Sequence, residues 1–137
     1  MDARAETLLH DYYAAFERGD MDAFLALLTD DVVHDLNQGG RQTGVDAFAR
    51  FMERMNERYR ESVSDLEIMT NASGTRAAAE FTVTGTYLAT DEGLPEANGQ
   101  RYELRAGAFF EIRDGRISRV TNYYDLRDWI GQVSGRP

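Results

Sequence analysis

Apolar residues recur at Ala5, Leu8, Leu9, Tyr12, Tyr13 and Phe16, the spacing of one helix face, and predict a helix over residues 3–18. Gly19 stands where a left-handed C-cap is wanted. Asp20 is placed to cap a second short helix, MDAFLALL, whose Phe24, Leu27 and Leu28 turn inward. A short strand, VVHDLN, follows and stops at Gln38-Gly39-Gly40. A third helix is predicted from Val45 to Arg60, with Val45, Phe48, Met52, Met55 and Tyr59 on one stripe. Arg50, Glu53, Arg54, Glu57, Arg58 and Glu61 fall on its other side at ion-pairing spacings and read as a solvated face.

From residue 64 onward the period shortens to two. SVSDLEIMT and RAAAEFTVTGTYLAT read as strands. In the second, Phe81, Val83, Gly85 and Tyr87 face one way while Glu80, Thr82, Thr84 and Thr86 face the other. TDEGLPEANG is a loop. The longest β pattern runs from Gln100 to Asp125, a hairpin whose Asp114-Gly115 pair tolerates the positive φ of a two-residue turn. LRDWIGQV is a short terminal helix or turn carrying Trp129 and Ile130, and the tail SGRP is expected to fray. Helices come first and strands last, so the fold class is α+β, with a meander-like, strongly bent antiparallel sheet. A bent sheet closed by helices encloses a cone, and one domain over residues 1–137 is expected.

Composition narrows the partners. The 137 residues are 42% hydrophobic, enough for a real core. Fifteen basic against 24 acidic residues give a net charge of −9, which disfavours nucleic acid and anionic membrane surfaces. Every basic residue is arginine, so a Schiff-base lysine is excluded. The absence of cysteine excludes disulfides, thiolate catalysis and zinc–sulfur sites. The acidic, amphipathic start MDARAETLLHDYY does not look like a signal peptide, and no apolar run approaches membrane length, so a cytoplasmic setting is the expectation.

Two stretches carry a family resemblance. YYAAFERGDMDAFLALLTDDVVHD resembles the N-terminal half of the nuclear transport factor 2-like superfamily, and FFEIRDGRISRVTNYYDLRDW resembles its C-terminal hairpin. The nearest enzyme-bearing branches are the ketosteroid isomerases, the SnoaL-like polyketide cyclases and the limonene epoxide hydrolases. The resemblance implies a cone-shaped α+β barrel, a curved antiparallel or mixed sheet wrapped around three N-terminal helices. It also implies one deep apolar pocket and a homodimer through the outer sheet face, here the side of Glu80, Thr82, Thr84 and Thr86. Because this fold hosts enzymes, binders and transport factors alike, reaction chemistry has to be carried over residue by residue.

Most of that chemistry does not carry over. Of the isomerase constellation of an Asp base, a Tyr donor and a protonated Asp, the Tyr donor is retained as Tyr12. The base falls on Leu36 and the protonated Asp on Ala108. The last-strand acid of the epoxide hydrolases matches Asn122, which cannot take a proton at neutral pH. Their other acid and arginine fall near Thr82–Thr86, where no charged pair suits, and the cyclases' pocket acid has no certain equivalent.

What remains is His34, which shares the face of Leu36 and is the candidate general base in an otherwise apolar pocket. Tyr12 and Asn122 are its candidate hydrogen-bonding partners. Adjacent Asp35 points to the opposite face unless a bulge near Gly39-Gly40 rotates it inward to orient His34. The candidate pocket lining is Phe16, Leu36, Met52, Met55 and Tyr59 from the first half, then Phe81, Val83, Ala108, Phe110, Tyr124 and Trp129, the last as a lid or plug. His10 lies too far from His34 in the pattern to make a metal site, and Asp20, Asp30 and Asp31 read as caps and loop acids. Two functions follow: a cofactor-independent isomerase, cyclase, dehydratase or hydrolase acting on a small apolar carbonyl or polyketide-like molecule, or a non-catalytic binder of such a molecule. Recognition of another protein, as in the transport factors, is the weaker reading because the outer face suits self-association.

Overall fold

The computed structural model describes residues 3–135, so the expectation for the last two residues of the tail lies outside the described residues. The element order is α1 (Ala3–Glu17), α2 (Met21–Ala26), β1 (Leu28–Asp35), β2 (Arg41–Thr43), α3 (Val45–Arg58), β3 (Tyr59–Thr70), β4 (Arg76–Tyr87), β5 (Arg101–Arg113), β6 (Arg116–Tyr124) and α4 (Leu126–Val133). The fold is α+β. The six strands form one curved, unclosed sheet in the order β2-β1-β6-β5-β4-β3.

Local chemistry sets the ends of these elements. At the end of α1 the Gly19 N–H reaches Phe16 O and the Asp20 N–H reaches Ala15 O, the paired bonds of a left-handed C-cap with Gly19 at φ 69°. Asp20 then accepts from the Ala23 N–H at 3.0 Å and starts α2. Asp114 and Gly115, at φ 52° and 77°, turn β5 into β6 with both central residues left-handed.

Two expectations need correction and one is narrowed. The first strand begins at Leu28, so Asp30 and Asp31 are strand residues, and Asp31 pairs with Arg113 at 2.5 Å across the hairpin end. The expected antiparallel or mixed sheet is mixed, because β1 runs parallel to β6 next to one edge, and the three-residue β2 forms that edge, which the turn-rich sequence around it conceals. The third helix stops at Arg58, where Tyr59 turns extended (φ −135°, ψ 139°) and opens β3. From that point the side-chain period is two, so Tyr59 and Glu61 share a face.

Helices α1 and α3 pack against the strands and α4 against β5. The core holds Leu9, Phe24, Val32, Phe48, Phe110 and Val120, each nearly or wholly removed from water. The Phe81/Val83/Tyr87 side of β4 is buried and its threonine side is half-exposed, which fixes the register with the apolar set inward. No described helix is long and apolar enough to cross a membrane.

Candidate functional site

The concave face of the sheet and the helices above it enclose a cavity of about 770 Å³. From α1 it is lined by Tyr12, Tyr13 and Phe16, and from α3 by Met52 and Met55. The sheet contributes His34, Phe81, Val83, Asn122 and Tyr124, with Leu36 just past β1 and Tyr59 at the start of β3. Trp129 closes one end. It is 3% exposed and meets Tyr87 edge-on at 4.9 Å, with Tyr59 and Tyr102 each at 5.9 Å, so it is a wall of the cavity rather than a mobile plug.

Two residues expected at the lining are elsewhere. Ala108 and Phe110 point to the concave side but lie in the core behind it, with Phe110 covered by the Tyr12 ring edge-on at 5.4 Å. Gly85, on the same face of β4 as Phe81 and Val83, leaves the room of an absent side chain. That room is filled by the Tyr102 ring, whose Cζ would lie 2.3 Å from a Cβ placed on residue 85.

His34 is 3% exposed, stacked on Phe48 at 4.3 Å and met edge-on by Phe51 at 4.6 Å. Burial pushes its pKa down to about 4, outweighing the opposing pull of the Asp35 charge. The ring is therefore neutral at pH 7. Its Nδ1 is buried with no hydrogen-bond partner among the described residues. Burial likewise holds the Tyr12 phenol protonated. Asn122 lines the same wall on β6, opposite Ala108 in the ladder.

Asp35 does not orient His34. No bulge turns it, and its carboxylate lies on the outer face. There it accepts from Arg41 Nε at 2.6 Å and from Thr121 Oγ1 at 2.7 Å, with Arg119 at 3.5 Å. The Arg41 hydrogen bond leads the causes that hold its pKa below the usual carboxylate range. Alternation along β1 is the physical reason: His34 pairs with Gln42 and Val120, Asp35 with Arg41 and Thr121, and the two sets face opposite ways.

The sequence reading missed an acid inside the cavity. Glu61, taken for part of a solvated helix face, is a β3 residue on the concave side, between Tyr59 and Val63 in the period of two. It accepts from Tyr102 Oη at 2.6 Å. The cavity leaves the side chain accessible while protein surrounds it, and this desolvation raises its pKa, the Tyr102 bond opposing. The missing signal was the extended residue at Tyr59, after which Glu61 faces Gly85. No group of His, Asp or Glu side chains among the described residues is arranged to hold a metal.

Residues 9–120 match the family of SnoaL-like domains. The chain belongs to that family. No curated protein sequence matches it. Among solved structures, a Pseudomonas putida protein provisionally named a polyketide cyclase is 64% identical, with TM-score 0.93 over 94% of this chain and 97% of that one. A Xanthomonas campestris protein of the same provisional name is 58% identical, with TM-score 0.92 over 95% and 96%. A nuclear transport factor 2-like protein from Burkholderia pseudomallei is 18% identical with TM-score 0.82 over 98% and 100%, a likeness of fold alone. SnoaL-like membership and these neighbours support a family of small-molecule binders, cyclases and isomerases, which agrees with a polar minority set in an apolar cone.

Proposed function

We propose that this SnoaL-like chain binds a small, largely apolar carbonyl compound in the cone and catalyses a cofactor-independent proton transfer of the isomerase or cyclase type. The observation that carries the reading is the lining: a cavity of about 770 Å³ walled by Phe16, Met52, Phe81, Val83 and Trp129, with a polar minority that includes His34, Glu61 and Asn122. The provisional cyclase names of the two nearly full-length relatives point the same way. His34 is a neutral acceptor on one wall. Its low pKa makes it a weak base, effective only on a substrate position that is itself acidic. Tyr12 and Asn122 are donors for a ligand oxygen. The alternative, a non-catalytic binder, draws on the uncharged Ala108 and Asn122 at positions where related enzymes carry acids.

The test is thermal denaturation in the presence of small apolar ketones, lactones and polyketide-like aromatics. A ligand at a hundred times its Kd adds about 2.7 kcal/mol to the folded state and raises Tm by several degrees. No shift across the panel would contradict the pocket reading, and binding without turnover would favour the alternative.

The outer sheet face carries a second proposal, self-association. Phe109 and Tyr123 are 48% and 55% exposed, touch with centroids 5.8 Å apart, and lie near Met69, 53% exposed, on the same face. A second copy of this chain is the proposed occupant, with the apolar patch rather than the threonine rows of β4 at its centre. Phe109→Arg is expected to convert a dimer into a monomer in analytical ultracentrifugation. A wild-type monomer at tens of micromolar would rule the proposal out.

A further inference from the structure

Glu61, Gly85 and Tyr102 stand in one row across β3, β4 and β5, all on the concave face. Gly85 carries no side chain, and the Tyr102 ring lies over it to reach the Glu61 carboxylate at 2.6 Å. Tyr102 is 3% exposed and backed by Trp129, so the phenol is fixed in place. No arginine forms an ion pair with Glu61 among the described residues. Glu61 is an exposed residue that lines the cavity, so its carboxylate is open to a ligand there.

The phenols around it are in different states. Tyr59 Oη donates to Asp91 Oδ2 at 2.9 Å, and Asp91 in turn lies 3.5 Å from Arg58. Tyr102 has committed its proton to Glu61. Tyr124 Oη instead accepts from Gln38 Nε2 at 3.0 Å, so its own hydrogen is free to donate into the cavity. A fixed carboxylate and a free phenol therefore border the same apolar space, as a base and an oxyanion donor must.

We infer that Glu61 is a catalytic proton-transfer residue acting on a carbon next to the carbonyl of an apolar ketone, with Tyr102 as its positioning residue and Tyr124 as donor to the substrate oxygen. The inference rests on the proton-transfer reading above and supplies the base that His34 is too weak to be. In the step, an O–H bond forms at Glu61 as the α-carbon's C–H bond breaks. The C–H electron pair becomes a C=C bond, the C=O π pair moves to oxygen, and Tyr124 hydrogen-bonds that oxygen. Returning the proton from Glu61 to carbon completes a tautomerisation or isomerisation with no change in net charge or oxidation state. Desolvation, which raises the Glu61 pKa, brings the base closer to a carbon acid.

The experiment follows α-hydrogen exchange of 2-tetralone and indan-2-one in deuterated buffer by proton NMR, with binding read separately from the ligand-induced Tm shift. Wild-type protein is expected to accelerate exchange, and Glu61→Gln to lose about 100-fold of that acceleration while keeping its Tm shift. The groups facing Glu61 are Tyr102 from β5, Tyr59 from β3 itself, Tyr124 from β6 and, beyond Tyr59, Asp91. Since the Tyr102 bond favours the charged carboxylate, Tyr102→Phe is expected to move the low-pH limb of the exchange profile to higher pH. A role in packing alone would leave that limb in place. If wild type and Glu61→Gln accelerate equally, the Glu61 assignment is overturned and the proton-transfer reading stands. If wild type shows no acceleration with either ketone, both fall.

Discussion

Between pH 6.5 and pH 4 the protein is expected to lose about 3 kcal/mol of stability that a His34→Phe variant keeps. His34 is buried against Phe48 and Phe51, and its pKa in the fold is about 4 against an ordinary 6.5. The folded-state value is the lower one, so the unfolded chain binds the proton more tightly throughout that window. The contribution of a neutral His34 is fully present above the unfolded pKa, declines as pH falls, and is gone below about 4. Glu61 acts in the opposite sense: its raised pKa makes the fold favour the protonated form, adding stability as pH falls. Comparing His34→Phe with wild type cancels that background, and phenylalanine can occupy the stack without a buried nitrogen. Urea denaturation at pH 7, 5.5 and 4.5 checks it. Parallel stability curves for the two proteins would show that His34 is not held neutral by the fold.

Gly85→Ala is expected to cost about 2 kcal/mol, a large effect for one methyl group, and to break the Tyr102–Glu61 hydrogen bond. Gly85 has no positive φ, so alanine suits its backbone and the whole effect is steric. The added Cβ would lie 2.3 Å from Tyr102 Cζ and 2.4 Å from its hydroxyl, forcing the ring out of its place beside Trp129. Removing the ring should remove the cost. In a Tyr102→Ala background the same substitution is expected to change stability by less than about 0.5 kcal/mol, a coupling measurable by a double-mutant cycle. Equal costs in both backgrounds would mean that Gly85 is needed for something other than the ring.

These two residues mark where the sequence was legible and where it was not. Elements with a local signature were readable: the period of α1, the Gly19-Asp20 junction, the Asp114-Gly115 turn, and α4 at Leu126–Val133. The curved sheet with helices over it followed from their order. What depends on distant pairing was not readable. The parallel match of β1 to β6, and β2 as an edge, are set by partners far along the chain.

Glu61 was hidden for a related reason. Its charge continued the ion-pair spacing of α3 beyond the point where the backbone had turned extended, and only the register with Gly85 and Tyr102, 41 residues away, shows that it faces inward. Asp35 was the converse, a carboxylate adjacent to His34 in sequence but separated from it by the plane of the sheet, where Arg41 and Thr121 hold it.

The central claim is that the cone, and not the outer face, takes an apolar carbonyl ligand. Methyl-labelled methionine reads this directly, since three of the five methionines, Met21, Met52 and Met55, line the cavity and Met69 lies exposed on the outer side. Titration with 2-tetralone, followed by carbon–proton NMR, is expected to shift the Met21, Met52 and Met55 methyl signals along one saturating curve and to leave Met69 unmoved. Shifts confined to Met69, or no saturable shift in the cavity methionines, would contradict the account.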